Sequence, residues 1–108
     1  MYKNTYLVYD TNTQRSCTIH IIPRPEATEI QLYVGGNPAT KQTIGYFNHL
    51  TCTFVPHLPH WMFPFARIVG TIIAKQHVSL SLSTFEENFI KHCNITRLGG
   101  NNDYKFRS

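Results

Sequence analysis

Hydrophobic and polar positions alternate with a period close to two in the first half of the chain, and the period lengthens in the second half. Thr5 to Tyr9 and Cys17 to Ile22 are rich in aromatic and β-branched residues, and the turn-forming Asp10, Thr11, Asn12 and Thr13 lie between them. This predicts two strands joined by a hairpin. Pro23, Arg24 and Pro25 interrupt pairing, because proline brings no backbone N–H. From Glu29 to Val34 the alternation returns, with Ile30, Leu32 and Val34 on one face of a third strand. Gly35, Gly36, Asn37 and Pro38 end it, and Thr43 to Val55 holds enough Thr, Ile, Tyr and Phe for one or two more strands around Asn48 and His49. The first half reads as a β-meander.

After Pro64 the apolar residues Phe65, Ile68, Val69, Ile72 and Ile73 fall at the spacing of one helix face, which predicts a helix over 64–76. Ala66, Gly70 and Ala74 make a strip of small side chains behind that face, suited to close approach by an element of the same fold or by a partner. Val78, Leu80 and Leu82 alternate with Ser79, Ser81 and Ser83, the pattern of a short one-sided strand. Thr84 with Glu87 three residues on forms a capping-box pattern and opens a second helix over 84–93, with Phe85, Phe89 and Cys93 on one face. Gly99 to Asn102 is a turn, with Tyr104 and Phe106 in a final strand. The expected fold class is α+β: an antiparallel sheet of about four to six strands with two α-helices packed on one face, in one domain over 1–108.

Composition narrows the functional classes. With 42% hydrophobic and 15% charged residues the chain is not of the disordered type. A formal charge of +4 favours an acidic partner, but the basic residues are spread out, with a local concentration only at Lys91, Arg97, Lys105 and Arg107. Cys17, Cys52 and Cys93 fit no disulfide framework, which points to a reducing, cytoplasmic compartment. The most apolar window, Trp61 to Ala74, contains Arg67 and falls short of the ~20 residues of a membrane span.

Three kinds of chemistry merit residue-level attention. One thiol and three imidazoles occur between His49 and His60, and His49, Cys52, His57 and His60 are of the type that holds zinc. Against this, the two pairs are crowded, Pro56 and Pro59 restrict wrapping, and His49 and Cys52 on one strand would face opposite ways. The same parity separates Cys17 from His20, so no thiolate–imidazole pair is expected there. Phosphate-binding glycine motifs and the nucleophile elbow are absent. A base-stacking surface needs rings among cations. Tyr33 and Tyr46, with Lys91, Arg97, Lys105 and Arg107, would supply one for single-stranded nucleic acid.

The third feature is the proline-stiffened stretch from Pro56 to Pro64, in which Leu58, Trp61, Met62 and Phe63 precede Arg67. Large rings held on a stiff loop are suited to anchoring a protein interface. Without catalytic or nucleotide signatures, the leading expectation is a small non-enzymatic protein-binding module of the inhibitor, immunity or counter-defence kind. It would need no cofactor and would act by occupying a partner surface, with a homodimer as one form of such binding. Single-stranded nucleic-acid binding ranks second, and a His/Cys metal-dependent enzyme using zinc third.

Overall fold

The alternating half of the chain forms five consecutive strands: β1 Thr5–Asp10, β2 Arg15–Pro23, β3 Ala27–Tyr33, β4 Lys41–Asn48 and β5 Thr53–Pro56. The computed structural model describes residues 4–33, 40–57, 64–98 and 104–105. Two helices follow, α1 Pro64–His77 and α2 Thr84–Ile90, and the chain returns to the sheet as β6 Cys93–Leu98 and the two-residue β7 Tyr104–Lys105. All pairings are antiparallel, in the order β5, β4, β3, β2, β1, β6, β7. The meander is thus confirmed. The six longer strands make the body of the sheet, and both helices pack on one face of it.

Strand parity decides what that face buries. Tyr6 and Val8, Ile19 and Ile21, Ile30 and Leu32, Phe47, and Ile95 point to the helices and form one cluster with Val69, Ile72, Ile73 and Ile90. A β-bulge keeps β4 in this scheme. The register steps from Ile30↔Gly45 to Gln31↔Thr43, and the extra residue, Ile44, is buried. The small-residue strip of α1 faces inward as well, since Ala66, Gly70 and Ala74 are all buried. A Cβ on Gly70 would come within 2.6 Å of Ile30 Cγ2, so the helix lies as close to β3 as a glycine permits.

Three expectations need correction. Val78 to Ser83 is not a strand. Ser79 adopts φ 60°, its N–H donates to Gln76 O, and Leu80 N–H donates to Lys75 O. These two bonds are those of a Schellman motif, which ends α1 with a serine where glycine is usual. Leu80 and Leu82 then pack against the core from a loop. The capping box is one residue earlier than expected: Ser83 Oγ accepts from Glu86 N–H, and Glu86 Oε1 accepts from Ser83 N–H. The Glu86 carboxylate is also bonded to Lys75 of α1, so a tertiary ion pair sets the register of the cap. Finally, α2 ends at Ile90 rather than 93. Cys93 opens β6 opposite Asp10, and the His92 carbonyl accepts from Thr11 N–H and Thr11 Oγ1. Pairing with the open side of β1 replaces a further helical turn. No helix among the described residues is long and apolar enough to cross a membrane.

Candidate functional site

Where β5 meets the helices the surface opens into a groove of about 520 Å³, in the size range of ligand sites. Its floor is Phe54, the inward residue of β5, whose ring leans over Gly45 of β4. Its wall is the side of α1 that carries Arg67, Ile68 and Thr71. The Arg67 guanidinium lies 5.5 Å from the centre of the Phe54 ring, close enough for a cation–π contact. Lys75 Nζ donates to Glu86 Oε1 at 2.8 Å and closes the far end by tying α1 to the start of α2. Burial pushes the Glu86 carboxyl up, but bonds from Lys75 and Ser83 outweigh it and hold the group below its ordinary range. On the rim stands Phe85, 62% exposed, and its ring meets Phe89 at 6.1 Å. Val55 and Leu50, two further exposed apolar side chains, lie on β5 and in the turn before it.

Of the residues expected to bind a partner, Arg67 thus lines the groove, while Leu58, Trp61, Met62 and Phe63 lie outside the described residues. Of the metal candidates, His60 also lies outside them. His49 Nε2 is bonded to the buried Thr28 hydroxyl at 2.7 Å, the Cys52 thiol points to the His49 carbonyl, and His57 is exposed. Among the described residues no three His, Cys, Asp or Glu side chains gather as metal ligands would.

The nucleic-acid candidates are divided between surfaces. Tyr33 and Tyr46 are on the helix-free face of the sheet, where Tyr33 is only 6% exposed because His20 stacks on it and Lys41 lies over its ring. Arg97 pairs with the inward Tyr6 and so belongs to the other face, and Lys91 caps the end of α2. Lys105 takes part in β7 through its backbone, and Arg107 lies outside the described residues.

The helix-free face also holds a polar network that alternation alone does not reveal. Glu29 accepts from Arg24 Nη2 at 2.7 Å, Thr43 Oγ1 at 2.6 Å and Gln31 Nε2 at 3.3 Å. Burial raises its pKa, but these donors prevail and keep it low. Beside it His20 Nδ1 is bonded to Thr5 Oγ1 at 2.8 Å, and burial with the nearby Lys41 charge lowers the imidazole pKa. Apart from the buried Gln31 Oε1, which has no partner among the described residues, the groups of this network bond to one another and hold neighbouring strands together. Burial pushes Cys17 up to about 12 and Cys93 to about 11, which keeps both as thiols. As parity required, Cys17 packs on the core and His20 on the opposite face.

Compared with protein-family models, with curated proteins and with solved structures, the chain matches none. The geometry of the groove therefore has to carry the functional reading.

Proposed function

We propose that this chain is a small non-enzymatic protein-binding module that acts by occupying a partner surface, as inhibitors and counter-defence factors do, through the groove between β5, α1 and α2. The observation that carries the reading is the juxtaposition of Arg67 stacked on Phe54 with the exposed Phe85 on one concave surface. Aromatic and arginine side chains gathered in a hollow are what binding hot spots are made of. The lining suits a protein segment better than a nucleic acid. A phosphate backbone needs several unpaired cations, and of the two in the groove Lys75 is already neutralised by Glu86.

The test uses exposed residues, so that binding and folding separate. Arg67→Glu and Phe85→Ala are expected to leave the thermal melt cooperative and to weaken capture of the partner from the native host by tenfold or more, on the order of a hot-spot loss. Tyr9→Ala, on the helix-free face, should leave capture intact. Capture that survives both groove variants would refute the reading.

A further inference from the structure

The partner's conformation and charge follow from the edge that borders the groove, and this inference rests on the protein-binding reading above. β5 pairs with β4 from Gly45↔Pro56 to Asn48↔Thr53, and it is the terminal strand on its side of the sheet. Among the described residues no backbone group bonds to its outer side. An open row of N–H and C=O groups is a template for another strand, and proteins usually blunt it with charge or proline. β5 has no charged residue. His57 N–H donates to Ile44 O, so by alternation Val55 faces β4, and the outer side offers the N–H and C=O of Phe54 and the C=O of Pro56, which has no N–H.

What lies beyond this edge sets it apart from an ordinary sheet border. The groove is bounded by β5 on one side and by Arg67, Ile68, Thr71 and Lys75 of α1 on the other. From Arg67 to Lys75 the helix rises roughly 12 Å at 1.5 Å per residue. Four residues of extended chain span about 13 Å. Strand and helix wall are therefore matched in length across an open trough. An extended segment fits such a trough by adding its main chain to the strand edge and turning alternate side chains down towards the helix.

Charge selects the segment. Lys75 is paired with Glu86, whereas Arg67 has a ring beneath it and no carboxylate among the described residues. A second copy of this chain docking edge to edge would bring two uncompensated Arg67 side chains together on the same side, on molecules each carrying +4. We propose that the groove receives an extended, acidic segment of a partner protein, paired with β5 as an additional strand. One carboxylate faces Arg67, and an apolar side chain an even number of residues away rests against Phe85 and Ile68.

A library of random heptapeptides displayed on beads, selected against the full chain, tests this directly. The expected binders carry Asp or Glu and a large apolar residue separated by one or three positions, without proline between them. In the best binder, methylating each backbone nitrogen in turn should give a period-two pattern. Methyl groups on amides facing β5 weaken binding by about tenfold or more, and those facing away leave it nearly unchanged. Arg67→Glu should reverse the preference for acidic residues. Binders that need Arg67 and Phe85 but tolerate every N-methyl group would overturn strand addition while sparing the groove as a protein site. Binders indifferent to Arg67→Glu and Phe85→Ala, or no binders, would overturn both. A concentration-dependent dimer that protects the Phe54 amide would assign the edge to a second copy and overturn the proposal.

Discussion

The Phe54 ring rests over Gly45, the residue diagonally across from it on β4, and a side chain on Gly45 would meet the edge of that ring and come within 2.6 Å of the Val55 carbonyl oxygen. The missing side chain at position 45 is thus a condition for both the seating of β5 and the floor of the groove.

Gly45→Ala should therefore destabilise the chain by about 2 kcal/mol, in the range of overpacking in a filled core. Because the obstruction includes backbone, β5 is expected to lift away from β4. Amide exchange at Val55 and His57 measures this. Unchanged protection at those residues would show that the ring can move aside without cost.

A second glycine makes the same argument on the helix. Alanine is favoured over glycine in a helix interior by about 1 kcal/mol, yet the close approach of Ile30 Cγ2 to Gly70 leaves no room for a methyl group. Cγ2 is held on a β-branched carbon and cannot swing away. Gly70→Ala is expected to lower stability by about 1–2 kcal/mol in urea melts. Ile30→Ala should cost more on its own, and the double variant should be more stable than the sum of the two, because the cavity accepts the added methyl group.

The loop between the helices carries two opposite predictions. Ser83→Ala should lower the melting free energy by about 1 kcal/mol through loss of the cap, whereas Thr84→Ala should change it by only a few tenths. Ser79→Gly should raise it by about 0.5–1 kcal/mol, since Ser79 holds a left-handed conformation that glycine adopts without strain. Thermal and urea denaturation of the three variants checks all of these together.

Stability should fall with acid in two stages. Burial and the nearby Lys41 hold the His20 pKa below 6.5 in the fold, so the unfolded chain binds a proton first. Stability from this group is full above that value and is lost as pH falls towards the depressed one. Glu29 and Glu86 are held below 4.5 by donors that outweigh their burial, so their contribution is present above 4.5 and is lost below it. Urea midpoints across pH should show both limbs. His20→Gln should flatten the upper limb and Glu86→Gln part of the lower one. A slope that neither variant alters would refute the assignment.

The legibility of this fold in sequence follows from how local each feature is. Ile19 and Ile21, and Ile30 and Leu32, declare their strands because burial on one face imposes a period of two. Phe65 to Ile73 declares α1 in the same way, at the helical period. Leu80 and Leu82 imitate a strand because a hydrophobic residue just past a Schellman turn also packs inward. β6 is hard to read because Ile95 is the one fully buried apolar residue among its described side chains, and Cys93 fits a continued helix as well as a strand. The groove is the least legible part. Its residues come from β5, α1 and the start of α2, and only folding sets Arg67 over Phe54. The sequence shows Arg67 merely as a cation after an apolar stretch.

The order of the strands also has a consequence for how the sheet closes. β1 to β5 are reached from one another through neighbouring segments, so they can assemble from short-range contacts, whereas β6 must come from the far end of the chain to cover β1. Pulse-labelled exchange during refolding should accordingly protect Ile21 and Ile30 before Ile95. Until β6 arrives the sheet has a second open border, at β1, and any foreign strand that settles there competes with β6. The border at β5 has no such rival within the described chain.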